Sequence, residues 1–162
     1  MFVIKDHPFN HDLSFEVYNE CSDFVHPKEC YSNVYYVAAH YAEKFHAKEW
    51  KVAYGFIRIM ADSNMWARHA FIVNKQGEAI DPTFFSHENY GNDKQHKSFH
   101  IFRDITGYAA HVRRNQNVPD LLMPLREKEA VMGKWAEENG MVLLGGMYTG
   151  MEKQFELLKS LQ

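Results

Sequence analysis

The chain has 162 residues, with two cysteines, Cys21 and Cys30, and ten histidines. Cys30, His69 and Asp81 occur in an order and spacing that suit thiol chemistry. Cys30 opens the run Cys30-Tyr31-Ser32-Asn33, while His69 and Asp81 stand on either side of a turn at Asn74-Lys75-Gln76-Gly77. A thiol attacks a carbonyl carbon as its thiolate, which a helix N-terminus or a neighbouring imidazolium favours. The imidazole in turn needs a group that fixes its tautomer and orientation. Cys30 as nucleophile, His69 as general base and Asp81 as orienting group would make such a set. Singly, each has a plainer reading. A cysteine on an apolar helix stripe is usually a small buried hydrophobe, a strand histidine is usually structural, and Asp81-Pro82-Thr83 alone is a turn signal. Order and spacing together carry the catalytic reading.

The elements that must position these residues can be read from periodicity. After His26-Pro27-Lys28-Glu29, where Pro27 is preset for a first helical turn, Cys30, Val34, Val37, Ala38, Tyr41, Ala42 and Phe45 recur at helical spacing. This predicts one helix from Glu29 to about His46, with Cys30 in its first turn. Residues 50–60, 65–73 and 78–84 read as three strands that pair antiparallel in sequence order. Gly77 suits a left-handed bulge position in the tight loop. Pairing symmetric about Lys75 would make His69 and Asp81 direct partners, with β-carbons about 4.5–5.5 Å apart. A bulge at Gly77 would shift that register.

Elsewhere the pattern predicts a short strand at 2–4, a helical segment at 13–18 and a polar loop at 86–97 with exposed histidines, His96 among them. A strand at 98–102 follows, then a helix capped by Asp104 and running to about Asn115. A further helix at 126–139 should stop at Gly140, with an apolar run at 141–144 and a terminal helix at 152–161. The sum is an α+β class.

Hydrophobic residues make up 46% and aromatics 15% of the sequence, which predicts one folded domain over 1–162 and excludes extensive disorder. A formal charge of -3 gives no electrostatic reason to expect nucleic acid. No apolar run nears the roughly 18 residues of a membrane helix, and the first residues lack the shape of a signal peptide. Two cysteines make no disulfide framework, so free thiols and a cytoplasmic location are expected. A zinc site from Cys21, His26 and Cys30 lacks the paired short spacings such sites use. The thiol chemistry requires no metal or organic cofactor.

The pattern of Cys30-x-x-Asn33, a strand with Gly55-Phe56-Ile57, and then His69-Ala70-Phe71-Ile72-Val73 leading to Gly77 and Ile80-Asp81-Pro82-Thr83 resembles the papain-like and transglutaminase-like superfamily. It is most similar to small bacterial and phage-type members with His-Ala-Trp followed by Asp-Pro-Thr; Phe71 stands where they carry Trp. The resemblance covers roughly the middle third of the chain. It implies a helix carrying Cys30 packed on an antiparallel sheet carrying His69 and Asp81, to which the chain's own pattern adds further helices towards the C-terminus. It also implies a cysteine-dependent hydrolase or acyltransferase (peptidase, amidase or transglutaminase-like) that acts on a peptide or other amide substrate through a thioester. Papain-type enzymes place a glutamine ahead of the cysteine as oxyanion donor, and Phe24 occupies that position here. The oxyanion hole would then use the Cys30 backbone N–H with a second donor among Asn33, Ser32 and Asn19. Trp66 and Tyr54 either line the substrate cleft or belong to the core. The alternative is a catalytically inactive module on the same fold that binds a peptide, nucleotide or partner protein.

Overall fold

Strand Trp50–Arg58 (β2) and strand Met65–Asn74 (β3) pair antiparallel over their whole length and form the spine of the sheet. Both are dense in aromatic and branched residues, and nearly every position is buried, as expected of strands covered on both faces. The computed structural model describes residues 3–58, 64–86, 95–114 and 133–143. Before the spine come strand Lys5–His7 (β1) and helices His11–Cys21 (α1), Cys30–His40 (α2) and Ala42–His46 (α3). After it come strand Ala79–Ile80 (β4), a 3-10 turn at Pro82–Ser86, strand His96–Ile101 (β5) and helix Ile105–Arg114 (α4). A helical stretch at 133–138 and strand Val142–Leu143 (β6) complete the described chain. The class is α+β, as the pattern predicts.

The sheet order is β1-β5-β2-β3-β4, all antiparallel, with β6 added parallel to the outer end of β3. The sheet curls until its two edges meet. Ala79 of β4 donates its N–H to the Pro8 carbonyl at 2.7 Å, and its own carbonyl accepts from Asn10 at 2.9 Å. Gly55 permits the tightest point of the curl. A β-carbon there would lie 1.8 Å from the Lys97 carbonyl oxygen, and the β2–β5 register shifts between Tyr54 and Gly55.

Alternation divides the side chains. Tyr54, Phe56, Ala70 and Ile72 face outward into the main core under α1, α2 and α4. Ala53, Phe71, Val73, Ala79 and Ile101 fill the concave inner side.

Several boundaries differ from expectation for identifiable reasons. The helix expected over 29–46 begins at Cys30 and breaks at Tyr41 (φ −103°, ψ 36°). The Tyr41 ring packs on Trp50 and its hydroxyl donates to Glu20 of α1, which turns α3 so that Phe45 also meets Trp50. The third strand shortens to Ala79–Ile80, because Pro82 has no N–H for a ladder and the chain turns instead. The first strand is Lys5–His7 rather than 2–4. Asp104 caps α4 as expected, its side chain accepting from the Gly107 N–H at 2.8 Å, and Gly140 (φ 67°) ends the later helix. The expected terminal helix at 152–161 lies outside the described residues.

Candidate active site

Cys30 is the first residue of α2, preceded by Glu29, whose side chain makes no capping bond. The first N–H groups of a helix have no intrahelical partner, so this is an electropositive position. The sheet makes room for it. β3 pairs with β4 only at Ile72 and Val73, and with β6 only at Met65 and Trp66. Between those pairings no described strand covers the β3 edge at residues 67–71, and α2 packs against β3. His69 lies in that gap.

Asp81 reaches His69 by a route the sequence only half reveals. The hairpin centres on Gln76 and not on Lys75, with Ile72 opposite Ile80 and Val73 opposite Ala79. Gly77 sits at φ 79° in the loop, as expected. The direct pairing of His69 with Asp81 is therefore replaced by a diagonal one. Moving the centre by one whole residue displaces each partner by two, which preserves the face each side chain points to. A diagonal neighbour on one face remains within reach of a long side chain. Asp81 leaves the strand at Pro82 and its Oδ2 lies 2.7 Å from His69 Nε2. Its backbone N–H is fixed by the Ser14 hydroxyl of α1 at 2.9 Å, and that hydroxyl donates to the Asn10 carbonyl.

A second histidine joins this pair. His96 Nε2 lies 2.8 Å from the same Asp81 Oδ2. His96, expected in an exposed polar loop, instead begins β5 and is 1% exposed. Its signal was the alternation of His96 with Ser98 on the inner side of a strand, masked by the polar residues before it. His69 and Asp81 are likewise buried, at 5% and 0% exposure, and Cys30 is at 6%.

Charge settles unequally on the two imidazoles. Burial works against a charged His69, but the Asp81 carboxylate outweighs it, with Cys30 adding to the effect, and pushes His69 up to about 10. Burial also opposes ionised Asp81, yet His69, and then His96, hold it far below the usual carboxyl range. His96 moves the other way, lowered by burial despite its bond to Asp81. The cluster is thus an imidazolium–carboxylate pair with a neutral second imidazole. A carboxylate only accepts, so both histidines donate through Nε2. That leaves His69 Nδ1 as the nitrogen for the Cys30 thiol.

His69, Asp81 and His96 also offer three potential metal-ligand atoms within 4.8 Å of one another. Ligands of a tetrahedral zinc ion, at about 2.0–2.1 Å from it, stand about 3.3 Å apart. The separations of 2.7 and 2.8 Å are shorter than that and are those of charge-assisted hydrogen bonds. The arrangement fits shared protons better than a shared cation.

The remaining sequence candidates fall in other places. Both polar atoms of the Asn33 carboxamide are engaged. Its oxygen accepts from the His26 N–H at 3.0 Å, and its nitrogen donates to the His26 carbonyl at 2.8 Å and to Thr83 Oγ1 at 3.0 Å. With both amide hydrogens used, Asn33 pins the 22–29 loop and the 3-10 turn to α2 and has no donor left for an oxyanion. Ser32 is half-buried on α2, and Asn19 is exposed on α1. Trp66 and Tyr54 are 3% and 0% exposed. Tyr54 packs between Tyr31 and Phe102, so both aromatics serve the core and present no surface to a ligand. Cys21 is buried inside α1, and burial, followed by Glu20, pushes its thiol up to about 11.

Among the described residues, no helix is long and apolar enough to cross a membrane. In comparisons with protein-family models, curated proteins and solved structures, the chain matches none.

Proposed function

We propose that the protein is a cysteine-dependent hydrolase or acyltransferase of papain-like or transglutaminase-like type. The observation that carries the reading is His69, bonded through Nε2 to buried Asp81 at 2.7 Å and set beside the cysteine that begins α2. In this reading the Cys30 thiolate attacks an amide carbonyl carbon. A C–S bond forms and the carbonyl electron pair moves to oxygen, which the Cys30 backbone N–H faces. As the tetrahedral adduct collapses the C–N bond breaks, and His69 gives its proton to the departing amine. Water or a second amine, deprotonated by His69, then attacks the thioester and releases the thiolate. Asp81 keeps the imidazole ring oriented and its positive charge compensated through both transfers.

The test is the rate of iodoacetamide alkylation at each cysteine near pH 7, followed by peptide mass spectrometry. Cys21 serves as the internal reference, since its thiol is held protonated. Cys30 should react at least about tenfold faster, and His69→Ala should remove most of that advantage. Two equally slow thiols would sink the catalytic reading.

The second reading, an inactive binding module, is favoured by one feature: Cys30 and His69 are almost entirely enclosed. It predicts that slow-thiol outcome.

A further inference from the structure

The concave side of the sheet has a second end, away from His69. There β1, the segment before β2 and the β3–β4 turn surround a cleft of about 910 Å³, within the range of small-molecule sites. Val73, Ile101 and Pro8 contribute its apolar surface. Five cationic side chains line it: Lys5, Lys48, Lys51, Lys75 and Arg103. This concentration stands out in a chain whose formal charge is -3.

The two carboxylates of the cleft do not neutralise it. Asp6 pairs with Lys97 at 2.5 Å and Glu49 with Lys44 at 3.3 Å, and neither of those lysines lines the cleft. None of the five cations makes a side-chain hydrogen bond or ion pair among the described residues.

Lys48 adds an independent observation. It follows α3 with φ 59°, its N–H donating to the Phe45 carbonyl while the next N–H, of Glu49, reaches the Lys44 carbonyl. These paired bonds define a helix C-terminus whose left-handed residue is normally glycine, since a β-carbon is strained there. The chain holds a lysine at a position where glycine would be the more stable choice, and that lysine lines the cleft. Lys51 reaches the same space from β2, two residues from inward-facing Ala53.

We propose that this cleft binds a small ligand carrying two or more linked phosphate groups. Closely spaced anionic groups answer five unneutralised cations in one concavity, and the apolar wall accommodates an organic substituent on the phosphates.

The test is calorimetric titration of the full chain with sodium tripolyphosphate and, separately, with ATP, at low and physiological salt. Saturable one-site binding that weakens with salt is expected. Tighter binding of ATP would assign the apolar wall to a nucleoside, and equal binding would assign recognition to the phosphates; both support the proposal. Lys51→Glu should weaken binding at least tenfold. Lys48→Gly is the sharper variant, because it should raise the melting temperature while weakening binding, a combination that misfolding cannot produce. The proposal is overturned if neither ligand binds saturably, if both variants bind like the wild type, or if polyglutamate binds and the phosphates do not.

Discussion

His96 donates to Asp81 at 2.8 Å, on the same carboxylate oxygen that His69 holds at 2.7 Å. The carboxylate is clamped from two strands, β3 and β5, that are not neighbours in the sheet. Removing His96 leaves a buried anion with one donor fewer. His96→Ala should cost about 2–3 kcal/mol in urea unfolding and slow alkylation of Cys30, because His69 loses its fixed partner. His96→Gln, which retains an N–H donor, should recover part of both. Full thiol reactivity in His96→Ala would show that the second imidazole does not position the first.

Gly55 of β2 lies opposite His69 on β3 and opposite Ser98 on β5. The contact that a β-carbon would make there is with backbone, at 1.8 Å, so no rotamer change can relieve it. Gly55→Ala should destabilise the protein by about 3 kcal/mol and displace β5, and His96 with it. An unchanged urea midpoint would contradict this close approach.

For Asn33, the expected effect falls on stability. Asn33→Ala deletes three hydrogen bonds at a fully buried position and should lower stability by about 2–3 kcal/mol. If the variant instead kept its unfolding midpoint and lost only the rate of acyl-enzyme formation, Asn33 would belong to the oxyanion hole after all.

Stability should peak near pH 6.5 and fall on both sides. His69 is raised from 6.5 to about 10, so its contribution is complete below 6.5 and is lost as pH climbs towards 10. His96 and His7 are lowered, in each case chiefly by burial, so their contributions hold above 6.5 and decline as pH falls below it. Asp81, also lowered, contributes above its ordinary value of 3.8 and loses that only in stronger acid. Urea midpoints at pH 5, 6.5 and 8.5 check the shape, and the alkaline decline should shrink in His69→Ala.

What could be read beforehand followed local rules. The β2–β3 pair, α2 with Cys30 in its first turn, and the shared face of His69 and Asp81 all follow from periodicity, which survives a displaced hairpin centre. What escaped depends on contacts distant in sequence. Ser14 holds the Asp81 backbone across 67 positions, and nothing near Ser14 announces it. His96 looked like part of a polar loop because the sheet that buries it closes only in three dimensions. The five cations of the cleft come from four separate stretches of the chain, so no run of basic residues marks them.

The meeting of the sheet's edges at Ala79 makes the site sensitive to integrity far from it. Residues 8–10 hold β4 in place, and α1, which they lead into, holds Asp81 through Ser14. During synthesis the nucleophile and its helix emerge well before the carboxylate, and the N-terminal segment can lock only after the hairpin is complete. A single proteolytic nick between β1 and α1 would therefore loosen one support of the orienting acid while leaving Cys30, His69 and Asp81 chemically intact. The thiol's reactivity would then report whether the chain is whole.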